Sequence, residues 1–147
     1  MAVECCQMLA LVASPWYRGY GTLPKKDGTP YRTERGAHRN HPCTVWAAKS
    51  LHNSKWLIHH GFWLCHEYRE RYGKSHACLR TLDVALDVFP IEGDTDKATD
   101  FVRAMPDEFK LDTTIDTYTA YKRYLNTKEW VKNNYLKKPE RKPNWID

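Results

Sequence analysis

A chain of 147 residues has room for one hydrophobic core and little room for two, so a single domain over 1–147 is expected. Hydrophobic residues at 41% and charged residues at 28% exclude a disordered chain, and the longest uncharged run near the start, 5–17, is too short to cross a bilayer. The net charge of +5 points to no partner by itself, while five cysteines, an odd number, argue against a disulfide framework and for a reducing compartment, the cytoplasm.

From 3 to 13 the chain is apolar, with Val3, Cys6, Leu9, Ala10 and Ala13 at helical spacing and Glu4 one turn before Met8. Ser14-Pro15 ends this helix, because a residue before proline is driven out of the helical region. The stretch 14–40, rich in Gly, Pro, Thr and Arg, reads as a long basic loop. Loops longer than about 15 residues in a compact domain usually carry function or move, so a substrate-facing arm is expected. Pro42 suits the first position of a second helix through Val45, Trp46 and Lys49, and Asn53 is placed to cap a third. That third helix, 54–72, carries Trp56, His60, Trp63 and Glu67 on one line and Leu57, Gly61, Leu64, Cys65 and Tyr68 on the adjacent stripe. Gly73 stops it. Trp46, Trp56, Trp63 and Leu64 are expected at the centre of the core.

A further helix follows to about Val88, with Ala77, Leu79, Leu82, Ala85 and Leu86 on its apolar face. The stretch 89–112 is broken by Pro90, Gly93 and Pro106 and reads as irregular. Thr113 or Thr114 is expected to cap a helix through Tyr118, Tyr121 and Leu125, and 128–136 reads as a last helical piece. The tail 137–147 carries two prolines and Trp145, which is expected to dock. No strand pattern competes, so the expected class is all-α.

Charge is unevenly placed. Segment 14–41 holds six basic residues against two acids, net +4, and 121–142 holds eight against two, net +6. Between them, 81–117 carries ten acids against three basic residues, net −7. Such segments are either solvated faces or, for the basic ones, footprints for phosphate. Aromatics beside cations, as in Trp16-Tyr17-Arg18 and Tyr121-Lys122-Arg123-Tyr124, suit base stacking, although Trp and Tyr also serve well in helical cores.

Zinc needs closely spaced ligand pairs, and Cys43, Cys65 and Cys78 are far apart, so no metal and no cofactor is expected. A Cys65–histidine nucleophile has no local signature, and no phosphate-cradling glycine loop is present. Acid–base work remains, from Glu4, Glu67, Asp107 or Glu108 with His41 or His76, and with Arg71 and Lys74 supplying positive charge.

Several runs carry a resemblance: Glu4-Cys5-Cys6-Gln7-Met8-Leu9, Arg39-Asn40-His41-Pro42 with Trp46, and Cys65-His66-Glu67-Tyr68-Arg69-Glu70-Arg71-Tyr72-Gly73-Lys74-Ser75-His76. Ala104-Met105-Pro106-Asp107-Glu108 and Tyr121-Lys122-Arg123-Tyr124 with Lys128 belong to the same set. Over 3–145, apart from 14–35 and 91–100, the chain resembles small phage and bacterial proteins grouped with the pyrimidine dimer DNA glycosylases of the phage endonuclease V type.

The resemblance implies an all-α DNA repair enzyme without metal. In that family a terminal amine attacks the sugar carbon to form a Schiff base, and a glutamate on the first long helix assists; Glu4 matches that glutamate. The family normally has a further segment before it, bearing the amine, which this chain is expected to lack. The candidate catalytic set is Glu4, His41, Glu67, Arg71 and His76, around one concavity. The candidate DNA contacts, to duplex or single strand, are Arg35, Arg39, Lys74, Arg123 and Lys128. The alternative is a non-catalytic phage protein on the same scaffold that binds nucleic acid or inhibits a host protein through its acidic surface.

Overall fold

The computed structural model describes residues 1–91 and 97–147. Of the expected 91–100 loop, residues 92–96 lie outside the described residues, and with them Glu92, Asp94 and Asp96 of the acidic segment. The class is all-α: among the described residues there are seven α-helices and no strand, with one isolated bridge between Pro24 and Pro30. The helices are α1 (Ala2–Ala13), α2 (Pro42–Lys49), α3 (Leu51–Tyr72), α4 (Leu79–Val88), α5 (Asp107–Lys110), α6 (Thr117–Asn126) and α7 (Glu129–Asn133). No helix is long and apolar enough to cross a membrane among the described residues. The chain divides into two compact units, Met1–Asp100 and Phe101–Asp147.

In the first unit α1 is apolar on nearly all sides and is packed against α2, α3 and α4. Leu9, Val12, Ile58 and Leu82 are fully buried, and Leu23 from the loop joins them. The face that α3 turns inward is narrow: Ser54, Leu57, Ile58, Gly61 and Cys65. A Cβ at Gly61 would stand 2.7 Å from the Leu82 side chain, so the glycine sets how closely α3 and α4 approach.

This overturns the expected aromatic centre. Trp46 is buried, but Trp63 is 70% exposed, Trp56 is exposed and Leu64 is only half-buried. Small residues at the contact leave no space for indoles there, so α3 is rotated with its tryptophan line outward. Leu86, expected on the apolar face of α4, is likewise exposed.

Two caps also differ. Ser50, not Asn53, caps α3: its hydroxyl accepts from the Asn53 amide at 3.1 Å. Asn53 is buried instead as a bridge, donating from Nδ2 to the Trp46 carbonyl (2.8 Å) and to Thr99 Oγ1 (2.7 Å), while its Oδ1 accepts from the Thr99 amide. A buried amide so satisfied ties α2, α3 and the 97–100 segment together. Pro42 begins α2 and Gly73, at φ 65°, ends α3, as their chemistry requires.

The 14–40 loop is irregular but is not a free arm. Trp16 Nε1 donates to the Thr33 carbonyl, Tyr17 Oη to the Arg39 carbonyl, and Arg18 to the Ala48 carbonyl. Thr81 Oγ1 donates to the Pro24 carbonyl at 2.8 Å, and the Arg39 guanidinium lies over Trp16, 4.2 Å from the ring centre. The loop is a strap laced onto the helices.

In the second unit Asp116, not Thr113 or Thr114, caps α6, accepting from the Thr119 amide at 2.7 Å. Tyr121 Oη donates to the Val102 carbonyl and accepts from the Ala104 amide. The Arg103 guanidinium donates to the Asp112 and Ile115 carbonyls, and so holds the 103–117 segment. The expected last helix shortens to α7, and in the tail Ile146 is buried while Trp145 is half-buried.

The inverted tryptophans are checked by denaturant unfolding. Ile58→Ala should cost about 2–5 kcal/mol, the usual range for emptying a closed core. Trp63→Ala should cost about 0.5 kcal/mol or less, as for an ordinary surface change. The reverse ranking would return Trp63 to the core.

Candidate active site where α1 meets the 73–78 turn

The first turn of a helix presents unpaired backbone N–H groups and favours an acid. Glu4 occupies it, and its carboxylate pairs with the amino group of Met1. That contact, ahead of every other influence, holds the Glu4 carboxyl below its ordinary range. The carboxylate is largely in solvent, while Ala2, Cys5 and Cys6 beneath it are buried.

Opposite lies the short connection between α3 and α4. Cys78 starts α4 without a capping side chain of its own, and His76 serves instead, its Nδ1 accepting from the Cys78 amide at 3.1 Å. A neutral ring used in this way carries its proton on Nε2. The His76 ring stands edge-on to Tyr68, 4.9 Å between centres. Burial first, and the positive charge of the Met1 amine second, hold the imidazole below its usual pKa. Cys6 Sγ reaches the Cys78 carbonyl at 3.9 Å, and Glu4's charge is among the influences on the Cys78 thiol. The Met1 amine thus influences both the Glu4 carboxyl and the His76 imidazole.

Glu67 and Arg71 form an ion pair of 2.7 Å across one turn of α3, with both side chains largely shielded from solvent. Tyr68, which follows Glu67, is the side chain that carries this end of α3 to His76. His41 is engaged at another helix start, where its Nδ1 accepts from the Cys43 amide at 3.2 Å and caps α2.

The expected DNA contacts fall in both units. Arg35 and Lys74 are exposed, Lys74 directly after the glycine that ends α3, and Arg39 is stacked on Trp16. In the second unit Arg123 pairs with Asp112 at 3.5 Å, and Lys128 lies over the Tyr124 ring at 4.6 Å.

Burial raises the thiols: Cys5 to about 12, Cys65 to about 11, and Cys6 upward as well. Thiols in that state are poor nucleophiles at neutral pH. Among the described residues no group of three or more His, Cys, Asp or Glu side chains is placed to hold a metal ion.

Two features go beyond the sequence expectations. Helical spacing puts Tyr68 on the buried stripe of α3, whereas its edge contact with His76 depends on how the chain turns after Gly73. The other is a groove between α3 and α4, lined in part by His59, Trp63, His66 and Arg69. A signal for it exists: histidines recur every seven residues at 52, 59 and 66, which places them on one side of a helix.

A family model described as pyrimidine dimer DNA glycosylase matches residues 1–80. The match spans α1 to the start of α4, and so Glu4 through His76, while the motifs at 104–108 and 121–124 lie beyond it. No curated protein and no solved structure matches the chain.

Two histidines fix the direction of the pH response. Burial lowers His60, which is stacked on Trp56 at 4.9 Å, as it lowers His76. The unfolded chain then takes up protons near pH 6.5 that the folded chain refuses until lower pH, so stability rises with pH through that window and falls on acidification. Glu4 adds loss in the same direction, but only below its ordinary range. The thermal midpoint should fall between about pH 7 and pH 5, and His60→Phe should flatten the fall. A midpoint that rises on acidification would contradict these assignments.

Proposed function

We propose, for a chain that belongs to the pyrimidine dimer DNA glycosylase family, that it removes a damaged pyrimidine from DNA at the junction of α1 with the 73–78 turn. One observation carries the reading: the family match runs from α1 to the 73–78 turn, and the Glu4 carboxylate faces solvent in the first turn of α1, where Cys6 reaches the Cys78 carbonyl of that turn. Chemistry of this class needs an amine and a carboxylate. An amine nitrogen of the chain bonds to C1′ of the sugar, and the glycosidic bond breaks with its electron pair leaving on the base, which takes up a proton. The sugar ring opens to a Schiff base.

Glu4 stabilises the cationic sugar as the base departs, and its low pKa keeps it charged for that role. His76, neutral with its proton on Nε2, moves the proton. Arg71, oriented by Glu67, meets a phosphate near the lesion. Arg35, Arg39 and Lys74 meet backbone phosphates from the first unit and Arg123 and Lys128 from the second; His41 serves instead as the cap of α2. Replacing any one of these phosphate-binding cations by alanine should flatten the salt dependence of duplex binding by about 0.9 in slope.

Borohydride reduction on ultraviolet-damaged or abasic duplex DNA tests the proposal. A covalent protein–DNA adduct is expected, and peptide mass spectrometry identifies the amine. Glu4→Gln should slow adduct formation by about 10²-fold or more, the usual scale for a positioned acid–base or charge-stabilising group. Binding without an adduct on any damaged duplex would leave the non-catalytic reading in its place.

A further inference from the structure

Between α3 and α4 runs an open groove of about 490 Å³ with apolar walls from Phe62, Trp63, Leu79 and Leu86. Trp63 is 70% exposed and Leu86 47%; Ile91, whose carbonyl accepts from Lys55 Nζ at one end of the groove, is 83% exposed. Apolar surface grouped in this way marks a contact site for another macromolecule. The two edges of the groove differ in charge. Lys55, Phe62 and Arg69 recur every seven residues and so share one side of α3, where Phe62 and Arg69 line the groove. No acid occurs on α3 before Glu67, which is paired with Arg71. On α4, exposed Asp83 stands four residues after Leu79 and three before Leu86, hence beside the wall those leucines form, and exposed Asp87 follows one turn later. Arg80, the one cation of α4, is directed to the strap instead, its guanidinium 2.9 Å from the place of a Cβ on Gly28.

We infer that this face binds a second copy of the chain, with α3 of each copy lying over α4 of the other about a two-fold axis parallel to the groove. A symmetric dimer contact needs a patch complementary to itself. This patch qualifies twice: an exposed indole stands beside an apolar groove, and a cationic edge beside an acidic one. Charge also selects the axis. A two-fold axis across the groove lays α3 on α3, cation on cation, and α4 on α4, acid on acid. An axis perpendicular to this face sets the copies side by side and leaves the groove uncovered. An axis along the groove sets Lys55 and Arg69 against Asp83 and Asp87 on both sides, with each Trp63 closing onto the leucine wall of the other copy. The apolar patch is smaller than a standard interface needs, so the dimer is a weak one that dissociates in the micromolar range. Such a dimer does not depend on the reaction proposed above.

Sedimentation velocity of the full chain, from micromolar to submillimolar concentration, tests the inference. Wild type should pass from monomer to dimer across that range, more readily at low salt. Trp63→Ala, at a position too exposed to threaten the fold, should weaken dimerisation roughly 30-fold or more, the scale of a central aromatic anchor. Asp83→Lys with Asp87→Lys makes both edges cationic, and Lys55→Glu with Arg69→Glu makes both acidic. Each double variant alone should stay monomeric, whereas an equimolar mixture of the two should dimerise, because every edge then meets its opposite. Thermal unfolding checks that each variant is folded. A wild type that stays monomeric throughout, a dimer indifferent to Trp63→Ala, or a mixture of the folded double variants that stays monomeric would overturn the inference.

Discussion

Eight of the twelve residues of α1 are buried, and a helix so apolar must be enclosed before anything else can settle. The enclosure comes from α2, α3 and α4, with Leu9 and Val12 of α1 and Ile58 of α3 filling the core and Gly61 letting α3 approach Leu82 of α4 closely. Close approach at Gly61 turns the Trp56–Trp63 side of α3 toward solvent, while Trp46 of α2 is buried. The same approach carries the start of α1 to the turn before α4, where Cys6 meets the Cys78 carbonyl. The candidate site therefore follows from one packing constraint.

The remaining connections are fixed by polar groups rather than by area. Asn53, buried and bonded at both ends of its amide, fastens the 97–100 segment to α2 and α3. Arg103 and Tyr121 do equivalent work in the second unit. The strap 14–40 uses Arg18 and the stacking of Arg39 to hold itself in place. A basic count alone overstates how many of its cations point at a partner; Arg35, exposed, is the clearer candidate.

Elements governed by local chemistry were legible in the sequence. Pro42 at the first position of α2, Gly73 after α3 and the apolar run of α1 need no knowledge of neighbours, and all three stand where expected. What depends on neighbours was not legible. Asn53 and Ser50 are both good caps, and only the Trp46 and Thr99 partners decide that Asn53 is wanted elsewhere. Thr113, Thr114 and Asp116 pose the same ambiguity at α6. Tryptophan usually goes inside, and Trp63 breaks that habit because Gly61 and Cys65, not Trp63, match the width of the contact. At the site, the contact of Cys6 with the Cys78 carbonyl, which brings α1 to the 73–78 turn, exists only once α4 folds back onto α1.

The central claim is that the start of α1 and the 73–78 turn together face damaged DNA. Hydrogen exchange of the full chain, with and without saturating abasic duplex, tests it directly. The first amides of α1 have no partner within the helix and exchange fast in the free protein. The account predicts that bound DNA slows exchange at 2–4 and at 74–77 together. Protection confined to 101–147, with both of those segments unchanged, would contradict it.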